Sequence, residues 1–113
     1  MFTVSYKIFQ IAEFVRKNLQ NPPTKEYLCG YFSITDYSLR KGFKQNFGMN
    51  VGEYIRTQRI KSAAKLLAGS DNLITSIATF VGFQNASKFA ETFRRYYGVN
   101  PSDYRNSIKH NGG

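Results

Sequence analysis

Several residue types and patterns are scarce in this chain of 113 residues. It has one cysteine, Cys29, so no disulfide can form within the chain, as is usual in a reducing compartment. It also has one histidine, His110, so the ligands of a zinc site are missing. No apolar run approaches the roughly 18 residues of a membrane span, and the N-terminal segment does not read as a signal peptide. The sequence therefore predicts a soluble cytoplasmic protein without a bound metal.

Catalytic motifs are missing as well. We find no nucleophile beside a general base, no pair of carboxylates at motif spacing and no glycine-rich loop that could cradle a phosphate. The sequence therefore predicts no enzymatic activity and no cofactor.

Acidic residues are few. Seven Asp and Glu stand against 16 Lys and Arg, which gives a formal net charge of +9. Such an excess of cations indicates a polyanionic partner, most often nucleic acid and less often an anionic membrane surface. The basic residues are spread over several segments instead of one amphipathic helix, which disfavours a membrane role. A basic domain without such a partner is the simplest alternative on composition alone.

Every periodic segment has the spacing of an α-helix. In the first segment, Ile8, Ile11 and Val15 lie three or four residues apart and form one apolar stripe. No segment alternates apolar and polar residues, and no Asn-Gly or Asp-Gly pair joins two apolar runs. We therefore predict an all-α fold of about seven helices, whose ends are marked by capping residues and glycines.

One sequence motif occurs twice, fifty residues apart. Each copy begins in the second helix of a predicted pair, after a short helix and a turn. The repeat predicts two helix–turn–helix subdomains, over residues 1–50 and 70–107, joined by a long linker helix over 51–69. Residues 108–113 are expected to form a loose tail. The matched pairs are Phe43 and Phe93, Gly48 and Gly98, Asn50 and Asn100, and Tyr54 and Tyr104.

Small residues stand where the two helices of each unit should cross. Ala78 and Gly82 fill these positions in the second unit, and Cys29 and Ser33 are the next best in size in the first. Cys29 is expected to be a buried core residue. By this count the second turn is one residue longer than the first.

The second helix of each unit carries polar residues away from its apolar stripe. An α-helix fits the major groove of DNA, where Arg and Lys suit guanine and Glu can accept from cytosine. Basic residues at the far end of such a helix suit phosphates, which position the protein without reading sequence. The polar residues are Tyr37, Ser38, Arg40, Lys41 and Lys44 in the first unit, and Ser87, Lys88, Glu91, Arg94 and Arg95 in the second.

Two long segments resemble a known family. They are LCGYFSITDYSLRKGFKQNFGMNVGEYIRTQRIKSAAKLL and ITSIATFVGFQNASKFAETFRRYYGVNPSDYR. Both are similar to the DNA-binding domain of AraC/XylS-type transcriptional regulators, and the likeness runs from about Lys7 to Arg105. It implies sequence-specific binding of double-stranded DNA by a bacterial regulator on the nucleoid, with one recognition helix in each of two adjacent major grooves.

The resemblance also assigns roles to residues. It implies base contacts by residues of both second helices, and phosphate contacts by residues at their ends. The base-contacting residues are Tyr37, Arg40 and Lys41 in the first unit and Ala86, Ser87, Lys88, Ala90 and Glu91 in the second. The phosphate-contacting residues are Thr35, Lys44, Arg94 and Arg95.

The sequence departs from the family pattern in two ways. Ala86 and Ala90 offer little hydrogen bonding, so the first unit is expected to carry more sequence information. No segment is left for effector sensing or dimerisation, so we expect a monomer that is either a short regulator or part of a longer one. RNA polymerase is a second partner that the family suggests, and LRKGFK is reminiscent of its iron–siderophore branch.

Two points stay open at this stage. A basic helical module for RNA or for a protein partner is the alternative to DNA binding, although RNA readers more often present a sheet with aromatics or a GXXG loop. Arg59 is expected to pair with a carboxylate, either Glu53 or Glu91.

Overall fold

The computed structural model describes residues 3–111, and side chains as far as residue 109. This part of the chain contains seven α-helices and no strand, which confirms the all-α prediction. The helices are α1 Val4–Arg16, α2 Lys25–Phe32, α3 Asp36–Phe47, α4 Val51–Gly69, α5 Ile74–Phe80, α6 Ala86–Tyr97 and α7 Pro101–Asn111.

Local signals set where α3 and α6 begin and end. Thr35 Oγ1 accepts a hydrogen bond from the backbone N–H of Ser38 at 3.0 Å, which caps α3. Asn85 caps α6 in the same way, with 2.7 Å between its Oδ1 and the N of Lys88. Each cap satisfies an N–H group that would otherwise lack a partner. Gly48 and Gly98 end the two helices with φ angles of 73° and 79°, a conformation that other residues adopt only under strain.

The chain divides into two compact units, one ending at Arg56 and the other beginning at Thr57. The boundary falls inside α4, so the helix over 51–69 is continuous but belongs partly to each unit. The finer division predicted from the sequence stays a prediction.

Each unit has its own apolar core. The first core is built from α1, α2 and α3, with Tyr54 added from the start of α4. The second is built from the rest of α4 with α5 and α6, and the partly buried Tyr104 of α7 packs against it. The largest fully buried residues are Ile8, Ile11, Leu28, Leu39 and Phe43 in the first unit, and Ile60, Leu67, Ile77, Phe89 and Phe93 in the second.

The repeated sequence motif produces the same aromatic packing in both units. Tyr54 meets Phe43 edge to face, with ring centroids 5.5 Å apart and planes at 73°. Tyr104 meets Phe93 with centroids 5.3 Å apart and planes at 71°. Such edge-to-face pairs are favourable beyond the area that they bury. The motif therefore packs the second helix of each unit against the start of the helix that follows it.

Two expectations need correction. The tail predicted to be loose from residue 108 is helical up to Asn111, while residues 112 and 113 lie outside the described residues. An ion pair between Lys109 and Asp71 holds this last turn to the segment before α5, a long-range contact that composition does not reveal. Cys29 is only partly buried, and its thiol is free.

Candidate nucleic-acid interface

The turns of the two units are built alike. In the first, Ser33 has a φ of 52°, and the N–H of Ile34 donates to the carbonyl oxygen of Cys29 at 3.0 Å. In the second, Gly82 has a φ of 110°, and the N–H of Phe83 donates to the carbonyl oxygen of Ala78 at 2.9 Å. In both turns this residue has a positive φ angle, a backbone conformation that is less strained for glycine than for serine.

The second turn contains an additional residue. Ile34 alone separates Ser33 from the cap of α3, whereas Phe83 and Gln84 separate Gly82 from the cap of α6. Gln84 is exposed. The one-residue difference predicted from the sequence is therefore present.

The exposed side of α3 brings four of the predicted site residues together. Tyr37, Arg40, Lys41 and Lys44 line one open cleft of about 420 Å³. Tyr37 is 61% exposed, and Lys41 Nζ lies 5.6 Å from the centroid of its ring. The other lining residues, from the end of α3 to the start of α4, are Met49, Asn50 and Glu53.

An acidic residue that the sequence analysis did not select lies beside this cleft. Asp36 is the first residue of α3, and its Oδ2 accepts a hydrogen bond from Nε of Arg40 at 3.1 Å. Its Oδ1 is buried and forms an ion pair with Lys25 of α2, whose Nζ is 3.4 Å away. Desolvation alone would raise the pKa of Asp36, but the contacts with Arg40 and Lys25 outweigh it and lower the pKa below its usual value.

The contact between Asp36 and Arg40 could have been found from sequence spacing, because residues four apart on a helix are neighbours. The contribution of Lys25 could not, because it depends on how α2 and α3 pack.

The exposed side of α6 differs from that of α3 in the residues that it presents. Ala86, Ser87 and Lys88 are exposed in its first turn, and Ala90 is partly buried. Glu91 Oε1 lies 3.4 Å from Nη2 of Arg95, so a predicted base contact and a predicted phosphate contact pair with each other.

Of the remaining predicted residues, Thr35 serves as the helix cap already described and Arg94 is exposed in the last turn of α6. Arg59 lies with its guanidinium 5.8 Å from the ring centroid of Phe83, and burial lowers its pKa. Glu91, one of the two carboxylates considered for Arg59, contacts Arg95. The ion pair predicted for Arg59 stays a prediction.

A further residue positions α3, and sequence reasoning missed it. Gly42 is buried on the side of α3 that faces α1, and a Cβ atom built on it would lie 2.4 Å from Cγ1 of Ile8. The absence of a side chain therefore allows α1 to approach closely. In the second unit, the matching position holds Thr92, which is also buried but donates its hydroxyl to the carbonyl oxygen of Lys88 at 2.8 Å.

The described residues include neither a candidate membrane span nor a candidate metal site. None of the helices in this part of the chain is both long and apolar enough to cross a bilayer. Among the same residues, His, Cys, Asp and Glu side chains nowhere gather in groups of three or more that could hold a metal ion.

The two units define a protein of the tandem helix–turn–helix class. Residues 28–107 match the family model described as a helix-turn-helix domain. The HTH-type transcriptional activator AarP of Providencia stuartii is 34% identical over 98 residues, which are 87% of this chain and 73% of that protein. The HTH-type transcriptional activator RhaR of Cronobacter sakazakii is 35% identical over 88 residues, or 78% of this chain and 31% of RhaR.

Among solved structures, the DNA-binding domain of the global transcriptional factor AdpA, in complex with a target DNA, has a similar fold. It superposes with a TM-score of 0.84 at 22% identity, covering 93% of this chain and 95% of that one. The chain belongs to the AraC family of helix–turn–helix transcription regulators, and the part matched is the DNA-binding domain. Such domains are not enzymes.

The chain spans very different shares of its relatives. It covers about three quarters of AarP but less than a third of RhaR. What those whole proteins activate is therefore a matter for proposal and test.

Proposed function

We propose that this chain binds double-stranded DNA in a sequence-specific manner in the bacterial cytoplasm, as a transcription regulator. The observation that carries the proposal is the grouping of Tyr37, Arg40, Lys41 and Lys44 around one open cleft on α3. An aromatic ring among three cations suits a DNA groove, where Arg and Lys contact guanine or phosphate. The net charge of +9 adds a general attraction to the polyanion.

In the proposed complex, α3 and α6 are the two recognition helices, each in one of two adjacent major grooves. Such helices would lie about 34 Å apart, so the two sub-sites would be centred about 10 bp apart. Base contacts are assigned to Tyr37, Arg40 and Lys41 on α3, and to Ala86, Ser87, Lys88 and Glu91 on α6. Phosphate contacts are assigned to Thr35, Lys44, Arg94 and Arg95.

The contact between Glu91 and Arg95 must change on binding if the roles proposed for these two residues are right. Glu91 can accept from a cytosine only if it shares or leaves its contact with Arg95. Arg95 would then be available for a phosphate. Both side chains are more than half exposed, so this exchange costs little.

The test is selection from a random duplex library with the purified chain at near-physiological salt. We expect a motif in two blocks whose centres are about one helical turn apart, as two recognition helices require. A single block would mean that only one unit reads bases, which would overturn the two-groove proposal. Retention of structured RNA in place of any duplex, in a competition at equal salt, would overturn DNA binding itself.

Two further proposals concern assembly. We propose that the chain acts as a monomer on its site and that RNA polymerase is a second partner. Sedimentation with and without the selected duplex tests the first, since one copy per duplex is expected. Recovery of the polymerase on the selected duplex, dependent on the chain, tests the second.

A further inference from the structure

The negative charge of Asp36 is unexpected if the exposed side of α3 only attracts phosphates. Asp36 is the one acidic residue in α3, and it stands in the first turn of a helix whose exposed residues include Arg40, Lys41 and Lys44. A carboxylate at this place repels the DNA backbone. An acidic residue does favour the start of a helix, because the helix dipole is positive there. That effect accounts for stability and says nothing about Arg40.

The contacts of Asp36 concern one cation in particular. Its Oδ2 accepts from Nε of Arg40 at 3.1 Å, and its Oδ1 is held by Lys25 of α2 at 3.4 Å. The carboxylate thus lies between Lys25 of the neighbouring helix and Arg40, and it contacts both cations. The guanidinium has N–H donors on three nitrogens, and this hydrogen bond uses only that of Nε.

Both terminal nitrogens of Arg40 therefore keep their donors. Two parallel N–H groups are what O6 and N7 of guanine accept in a bidentate contact. A guanidinium that is already held in one orientation loses less freedom when it makes that contact.

We infer that Asp36 is a positioning residue, which holds the guanidinium of Arg40 for a guanine and so sets the base preference of the first unit. This inference rests on the proposed function. The second unit has no equivalent, because the positions that match Asp36 and Arg40 are Ala86 and Ala90. Its own pair, Glu91 and Arg95, stands at different positions of the helix and is 3.4 Å apart.

The experiment compares Asp36→Asn with a matched control, Glu13→Gln. Glu13 forms the same kind of exposed pair four residues apart, with 3.0 Å between its Oε1 and Nζ of Lys17, but it lies on α1. Both variants remove one negative charge and the ion pair with a cation four residues further along the helix, and D36N also removes the contact with Lys25. For each we would select from the random library, then measure dissociation constants for the best duplex and for the same duplex with its guanine replaced.

We expect D36N to lose about tenfold in discrimination at one guanine of the block read by α3, within the range that one bidentate contact supplies. Its affinity for mixed-sequence duplex should rise about two- to threefold, because a charge that repels phosphates is gone. E13Q should change neither quantity. Discrimination is a ratio of two constants from one preparation, so a lower folded fraction cancels.

A double-mutant cycle separates positioning from simple charge. Arg40→Ala should lose discrimination at the same guanine, and adding D36N to R40A should cause no further loss, because the residue to be positioned is absent. If D36N discriminates as well as the unchanged chain, or if the two losses add, Asp36 does not act through Arg40. If the unchanged chain itself selects no sequence, the proposed function has failed, which is a different result.

Discussion

The two helix–turn–helix units have similar turns and the same aromatic pair in their separate cores, but they differ in the side chains that they expose. Both turns return a hydrogen bond to the small residue of the preceding helix, Cys29 or Ala78. The exposed face of α3 then carries a tyrosine and three cations around a cleft, whereas α6 begins with Ala86 and Ser87. From this difference in exposed residues we expect the first unit to contribute more of the base contacts proposed above than the second.

The largest effect should come from removing the buried phenylalanine that stands at the matching position in the core of each unit. Phe93→Ala is expected to lower the free energy of unfolding by about 3–5 kcal/mol, because Phe93 is fully buried and packs against Tyr104. Phe43→Ala should do the same in the first unit. Chemical denaturation measures both. A loss below about 1 kcal/mol in either variant would mean that the two cores are not equivalent.

A smaller effect, on the free energy of DNA binding, should distinguish α3 from α6. Arg40→Ala is expected to cost about 1–3 kcal/mol in binding to the selected duplex and to change the preferred sequence, if Arg40 contacts a base. Ser87→Ala, at the exposed start of α6, should cost less than about 1 kcal/mol, in line with a single neutral hydrogen bond. Titration of both variants against one duplex provides the measurement. The reverse order of losses would move base reading to the second unit.

Packing between α1 and α3 can be tested with two glycines of the first unit. Gly42→Ala should lower the free energy of unfolding by about 1 kcal/mol, because overpacking against Ile8 exceeds the gain in helix propensity. Gly30→Ala is the matched control, since a Cβ built on Gly30 meets no atom within 4 Å. It should raise stability by up to about 1 kcal/mol. Thermal unfolding of the two variants tests this prediction. Equal shifts in their melting temperatures would mean that α1 does not approach α3 closely at Gly42.

The smallest effect concerns attachment to the DNA backbone. Arg94→Ala should weaken binding to all duplexes alike and reduce the slope of log affinity against log salt by about 1, as the loss of one phosphate contact requires. Lys61→Ala is a control of equal charge, at an exposed position of α4 outside both recognition helices. If R94A instead changes which sequence is preferred, Arg94 belongs with the residues that read bases.

Much of the fold could be predicted because its signals are local. The caps Thr35 and Asn85, the closing glycines and the apolar stripes each act within one or two turns of helix, so the sequence contains them directly. The residues that were missed depend on contacts between distant segments. Gly42 is informative only once α1 is placed beside α3, and the end of α7 only once Lys109 reaches Asp71.

The candidate site was predicted less completely than the fold. The sequence and the family resemblance selected the cationic residues of α3, and the structure brings them to one cleft. Neither selected Asp36, because a carboxylate is not a residue that binds an anion, and its contact with Lys25 depends on how α2 packs against α3. A site contains the groups that orient its ligands as well as those that touch them.

The matching aromatic pairs, Tyr54 on Phe43 and Tyr104 on Phe93, have a consequence for engineering. Because equivalent aromatic contacts pack against α3 and α6, residues on the exposed faces of these helices can be exchanged without disturbing those contacts. A designer could therefore vary positions 37, 40 and 41, or 87, 88 and 91, as two separate libraries on one scaffold. If these positions read bases as proposed, new operator specificities could be selected by changing exposed side chains while the interior is left unchanged.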